Sequence, residues 1–176
     1  MDNGDRIDDI AIDFLKAFDL VPHDRLLMKI LNSGVDSRVD AWVREFLLGR
    51  TQKDRVGGQL SEEARVTSGV PQGSVLGLLL FLAYVNDIWR NTVSTVRLFA
   101  DDCVIYRKII NNEDIEKLQK DLFRLGEWAA ENVMKINPSK CTAVRFTRAR
   151  VKDPLNYTLG DQLIPEASSC KYLGII

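Results

Sequence analysis

Three carboxylates stand out because of the residues around them. Asp101 and Asp102 are adjacent and lie between two short apolar runs, residues 98–100 and 103–106. The β-branched and aromatic residues of those runs read as strands and the acid pair as a tight turn, which places both acids at a hairpin tip. Two carboxylates held there repel each other unless a cation sits between them. A hard divalent ion with oxygen ligands, Mg²⁺ above all, suits such a pair. Alone, Asp-Asp in a turn is most often a solvated turn. A third acid changes that reading. Asp13 interrupts the strand-like run Ile10-Ala-Ile-Asp-Phe14, and a charge inside a buried-looking strand is costly unless it is paired or bound to metal. If the two stretches lie side by side, Asp13, Asp101 and Asp102 converge. Three carboxylates can hold two metal ions about 3.5–4 Å apart, the arrangement that serves in-line phosphoryl transfer.

The elements that must position these acids can be read in order. After Asp13, Pro22 opens a helix whose apolar stripe runs through residues 25–31 and which Gly34 is placed to end. Residues 37–49 repeat the helical pattern, with Trp42 and Phe46 expected in the core. His23 is the single histidine and reads as a helix-start residue rather than a base. Residues 52–56 and 64–67 read as short strands joined through 57–61. The glycines and Pro71 of Ser68-Gly-Val-Pro-Gln-Gly-Ser-Val-Leu-Gly77 mark a backbone that must approach something closely, with Gln72 as a polar reach. The phosphate-loop pattern ending in Lys-Ser/Thr is missing, which excludes that motif. Behind the loop, residues 75–88 read as a central buried helix. Beyond the acid hairpin, Asn112 reads as a helix cap, followed by an amphipathic stripe of Ile115, Leu118, Leu122, Leu125 and Trp128. Residues 137–140 read as a turn, 141–146 as a strand, 157–164 as a hairpin turning at Gly160-Asp161, and 170–176 as a final strand.

At 176 residues, 45% hydrophobic and 28% charged, the chain has the size and composition of one soluble globular domain. Its net charge of −1 gives no compositional sign of nucleic-acid binding. The bases Lys135, Lys140, Arg145, Arg148, Arg150 and Lys152, with no acid before Lys152, read equally as a solvated face or as a phosphate-backbone contact. Cys103, Cys141 and Cys170 are odd in number and lack metal-ligand spacing, so reduced thiols in an intracellular compartment are expected. No signal-peptide pattern is visible at the N-terminus. The longest apolar run, residues 75–85, is too short to span a bilayer. The expected location is therefore the nucleus or cytoplasm, without secretion or membrane anchoring.

Taken in order, Ile12-Asp-Phe-Leu-Lys-Ala-Phe-Asp-Leu-Val-Pro-His23, Ser68-Gly-Val-Pro-Gln-Gly-Ser-Val-Leu-Gly77, Phe99-Ala-Asp-Asp102, Asn137-Pro-Ser-Lys-Cys141 and Lys171-Tyr-Leu-Gly174 resemble the motifs of reverse transcriptases. The resemblance is to those of non-LTR, jockey-type retrotransposons. An isolated Ala-Asp-Asp is unspecific, whereas five motifs in family order and spacing are specific, and they run over almost the whole chain. Leu78 stands where the family usually has Pro, and Leu15 where Ser is common.

The resemblance implies an α+β fold, a polymerase palm with an antiparallel sheet backed by helices. It implies that Asp13, Asp101 and Asp102 hold two Mg²⁺ ions, with Mn²⁺ able to substitute, and that Lys140 protonates the leaving pyrophosphate. Phe18 matches the aromatic gate against a 2′-hydroxyl. Pro71, Gln72 and Gly73 would shape the nucleotide and template pocket, and Tyr172, Leu173 and Gly174 the primer grip. The implied partners are an RNA template, a DNA primer and deoxynucleoside triphosphates, with the oligomeric state open. On this reading residues 1–176 are a palm fragment of an incomplete right-hand polymerase, lacking most of the fingers and the thumb, endonuclease and RNase H regions, and of little activity alone. Two alternatives stand beside it. One is a relic that binds nucleic acid or a partner without polymerising, and the other is a reverse transcriptase of the group II intron or retron type.

Overall fold

The structure is a computed structural model that describes residues 6–149 and 153–169. The expected strand over 170–176, with Tyr172, Leu173 and Gly174, lies outside the described residues, as do Cys170, Arg150 and Lys152. In chain order the elements begin with β1 (Arg6–Ile12), β2 (Phe14–Leu15), α1 (His23–Asn32) and α2 (Ser37–Leu47). Four short strands follow, β3 (Thr51–Gln52), β4 (Arg55–Val56), β5 (Gln59–Leu60) and β6 (Ala64–Arg65), and then α3 (Val75–Val85). The hairpin β7 (Thr95–Phe99) and β8 (Asp102–Ile109) leads into α4 (Asn112–Glu131). The chain continues through β9 (Lys135–Ile136), β10 (Thr142–Thr147), β11 (Thr158–Leu159), β12 (Gln162–Leu163) and β13 (Glu166–Ala167). These elements fall into two compact units, one made of the chain up to Ala17 and from Asp87 onward, the other of Phe18–Asn86.

The first unit is built on a five-stranded sheet in the order β13-β10-β1-β8-β7. All neighbours are antiparallel except the parallel edge pair β10 and β13. β1 sits at the centre because its alternate residues Asp8, Ile10 and Ile12 are all buried, the period-two pattern of a strand that buries one face. Ile10 lies between Ile105 and Ala143 in register, and all three are fully buried. α4 packs on β8 through a stripe at helical spacing, Leu118, Leu122, Leu125 and Ala129. Its cap is Asn111, whose side chain accepts from the Asp114 N–H at 3.1 Å, so the cap lies one residue before the expected Asn112. Glu113 and Asp114 occupy the first turn, where negative charge suits the helix dipole. The expected antiparallel sheet backed by a helix is present.

In the second unit α1 buries His23, Leu26, Leu27 and Ile30 and ends just before Gly34, which adopts φ +78° as its predicted terminating role requires. α2 is capped by Asp36, which accepts from the Arg38 N–H at 2.8 Å. Residues 51–65 form one hairpin with β3 on β6 and β4 on β5. Two expectations fail here. Trp42 is 58% exposed and stacks on Phe46, which is only partly buried, instead of joining the core. α3 is not buried all round. It buries Gly77, Leu80, Phe81, Tyr84 and Val85, while Val75 is 90% exposed and Leu78 and Leu79 are exposed beside it. An apolar helix without polar positions carries no sequence signal for which side faces solvent.

Candidate active site

The three candidate acids of the first unit, Asp13, Asp101 and Asp102, lie at one end of its sheet. The last paired residues of β1 and β8 are Ile12 and Cys103. Asp13 and Asp102 are the next residues outward on these two adjacent strands. Asp102 pairs with Phe99, leaving Ala100 and Asp101 as a two-residue turn. Ala100 has φ +53°, a left-handed conformation that costs a residue with a side chain about 1 kcal/mol or more. That strained residue closes the turn, and Asp101 and Asp102 are both exposed.

On the other side of β1, the turn expected at 137–140 wraps Asp13. The Asn137 N–H donates to the Asp13 carbonyl at 2.9 Å. The Asp13 N–H points at Cys141 Sγ at 3.5 Å, and the Cys141 thiol donates to the Asn137 carbonyl at 3.3 Å. Burial pushes the Cys141 thiol above its ordinary range, and the Asp13 charge adds to that. Cys103, almost wholly buried beneath the acid hairpin, is pushed up to about 12, chiefly by burial. Both thiols are free, and the upward shift of each disfavours the thiolate that would act as a nucleophile. Lys140 is exposed on the same turn, its N–H bonded to the Asn137 carbonyl at 3.0 Å.

The structure thus brings Asp13, Asp101, Asp102 and Lys140 to the same end of one sheet. Among the described residues no three His, Cys, Asp or Glu side chains are gathered tightly enough to form a ready metal site. The fit to divalent ions therefore rests on donor chemistry. The acids offer only carboxylate oxygens, the ligands Mg²⁺ prefers, and Mg²⁺ commonly takes one or two protein carboxylates and completes its octahedron with water and phosphate.

The remaining candidates belong to the second unit. Phe18 is partly buried, and its ring stacks on Phe81 of α3 with centroids 4.5 Å apart. The Val70 N–H donates to the Phe18 carbonyl at 2.9 Å, and the Gly69 N–H to the Val21 carbonyl at 2.8 Å. Ser68 Oγ donates to the Asp19 carbonyl at 3.0 Å. Gly69 adopts φ +87°, and a Cβ there would lie 2.8 Å from the Asp19 oxygen. The close approach expected of this glycine-rich segment is therefore to the 18–21 turn. Pro71 is half-buried, while Gln72 and Gly73 are exposed. Ser74 caps α3 by accepting from the Gly77 N–H at 2.9 Å.

Sequence reasoning missed a buried ionic cluster on β1. Asp8 is fully buried and is held by Arg6 (2.8 Å), by the Tyr157 hydroxyl (2.7 Å) and by Arg145 Nε (3.5 Å). Arg145 is thereby withdrawn from the expected basic face, whereas Lys135, Lys140 and Arg148 remain exposed. Asp121, also fully buried, accepts from the Val93 and Ser94 N–H groups at 3.1 and 2.7 Å. No local pattern marks either acid as buried, because the Tyr157 and Arg145 partners of Asp8 and the Val93 and Ser94 N–H groups on Asp121 lie far away in the chain.

A helix-backed, largely antiparallel sheet with acids at one end is the α+β architecture of a polymerase palm. The sequence matches the family described as reverse transcriptase (RNA-dependent DNA polymerase) over residues 10–176, and the chain belongs to that family. It is 33% identical to the Drosophila melanogaster protein named probable RNA-directed DNA polymerase from transposon X-element, covering 99% of this chain and 20% of that protein. It is 31% identical to the RNA-directed DNA polymerase from mobile element jockey of Drosophila funebris, over 94% of this chain and 19% of that protein. The chain thus spans about a fifth of the length of these curated relatives. Among solved structures, the apo telomerase of Candida tropicalis truncated from its C-terminal domain superposes with a TM-score of 0.58. That match covers 83% of this chain and 32% of that one at 14% identity, a likeness of fold.

Proposed function

We propose that this chain is the catalytic palm region of an RNA-directed DNA polymerase from a non-LTR retrotransposon, extending a DNA primer on an RNA template. The observation that carries the reading is the β1–β8 register, whose last pair Ile12–Cys103 leaves Asp13 and Asp102 side by side with Asp101 in the turn. In this reading Asp13, Asp101 and Asp102 hold divalent ions, and Phe18 presents its ring to the sugar. Pro71, Gln72 and Gly73 border the nucleotide, and Tyr172, Leu173 and Gly174 meet the primer. When bound, Mg²⁺ or Mn²⁺ supplies charge neutralisation and a lowered pKa for the attacking hydroxyl. The protein's own part is positioning. The strained Ala100 turn fixes where Asp101 stands, and the Asn137–Cys141 turn holds the backbone of Asp13. Lys140, on that same turn, offers an ammonium proton to the departing pyrophosphate.

The test is primer extension with this chain grafted in place of the matching segment of the jockey polymerase. Asp101→Asn keeps the shape of the side chain and removes its charge. It is expected to lower extension by roughly a hundredfold or more while leaving the far-ultraviolet circular dichroism unchanged. Extension at the parental rate in the variant removes the assigned role. Failure of the unsubstituted graft to extend, where the native segment does, favours a nucleic-acid-binding relic.

A further inference from the structure

The peptide joining Gly69 to Val70 is pinned at both ends. Its N–H donates to the Phe18 carbonyl at 2.9 Å. Its carbonyl lies 2.8 Å from His23 Nε2. A carbonyl only accepts, so Nε2 carries the proton. His23 is the single histidine of the chain, 6% exposed, and the first residue of α1. Its bond leaves its own helix and reaches a loop 46 residues away. The other ties between this loop and the 18–22 turn are the backbone bond from Gly69 to Val21, the Ser68 hydroxyl on Asp19, and the Pro22–Ser68 bridge. Of these contacts, the imidazole is the side chain that acts on the very peptide that holds Phe18.

We propose that His23 is a positioning residue for sugar selection. By fixing the orientation of the Gly69–Val70 peptide, it fixes the backbone of Phe18 and hence the ring that faces the sugar. The inference rests on the proposed function, in which Phe18 is that ring. Without the imidazole proton the Gly69 carbonyl is left unpaired in a buried setting, and the peptide can turn to find another donor. The Val70 N–H then leaves Phe18, and the ring is held less firmly, its stack on Phe81 remaining. Chemistry at the acids does not depend on that ring, so the change falls on nucleotide choice rather than on the chemical step.

The test is single-nucleotide incorporation by the grafted polymerase, with KM and kcat measured separately for deoxyribonucleotides and ribonucleotides. His23→Phe keeps a flat ring and removes the donor. It is expected to raise deoxyribonucleotide KM about tenfold, with kcat within roughly threefold, and to raise relative ribonucleotide use about tenfold. His23→Gln, whose amide can donate to the same carbonyl, restores most of the discrimination. Phe18→Val gives the ceiling, and combining it with His23→Phe adds nothing further. Equal losses for both sugars, a loss in kcat alone, or His23→Gln no better than His23→Phe overturns the inference. If His23→Phe does not fold, His23→Asn, too short to reach Gly69, makes the same comparison. An active parent with sugar choice unmoved by any His23 substitution removes this inference and leaves the proposed function standing. An inactive parent overturns both.

Discussion

Asp9 shows how a single residue can cost stability in a place that has no visible structural need for it. It alternates with Asp8 and Ile10 along β1, so it lies on the opposite face of the sheet, in register with Tyr106 and Val144. One of its carboxylate oxygens is buried without a hydrogen-bond partner. Burial pushes its pKa from the usual 3.8 up to about 6. Since the folded state holds this proton more tightly than the unfolded chain, stability falls as pH rises from about 4 to about 6. Above that window the whole penalty is present, and below it the penalty is gone. Asp9→Asn should therefore stabilise the fold at pH 7 by about 1–2 kcal/mol, after allowance for the solvent the group still meets. The same substitution should flatten the pH dependence between 4 and 6, which thermal melts at stepped pH will show. A melting temperature at pH 7 equal to the parent's contradicts the account.

At the scale of elements, the segment entering α3 works through backbone shape. Its glycines are not equivalent. A Cβ on Gly77 would lie 2.0 Å from the Pro71 carbonyl oxygen, a backbone atom with no flexible end to give way. Gly73 has φ +85° but open space where a Cβ would sit. Gly77→Ala is expected to cost about 3 kcal/mol or more through overpacking, and Gly73→Ala about 1 kcal/mol through its left-handed φ. Urea titration of the two variants checks the order, and equal midpoints contradict it.

At the largest scale, the sheet unit is held by contacts between distant parts of the chain. β1 pairs with β8 and β10 roughly a hundred residues or more away, and the Tyr157 hydroxyl reaches Asp8 across 149 positions. Asp8→Ala would strand Arg145, whose side chain is only 4% exposed, and should cost about 3–5 kcal/mol. Tyr157→Phe removes one hydrogen bond to a charged group and should cost about 1–3 kcal/mol. Denaturation of both variants, with the double variant Asp8→Ala, Tyr157→Phe, measures the coupling. Costs that simply add would mean that Tyr157 acts independently of Asp8.

Much of the fold and the candidate site is legible in the residues themselves. The acid hairpin, the helix starting beside Pro22 and ended by Gly34, the amphipathic stripe of α4 and the Gly160 turn each carry their signal within a few neighbouring positions. Such signals reflect local geometry, namely periodicity, φ preference and capping, which the chain expresses wherever it packs. The five ordered motifs likewise mark the family without coordinates. Tertiary structure alone decided which strands neighbour one another, and so that Asp13 emerges beside Asp102 and against the Asn137–Cys141 turn. It decided that Asp8 is neutralised in the core while Asp9 is left half-buried and unpaired, although the two are adjacent and chemically identical. It turned Trp42 outward and took Arg145 out of the basic stretch. It also gave the single histidine a bond to Gly69. Burial and pairing depend on atoms that arrive from far along the chain, and a local pattern holds no information about them.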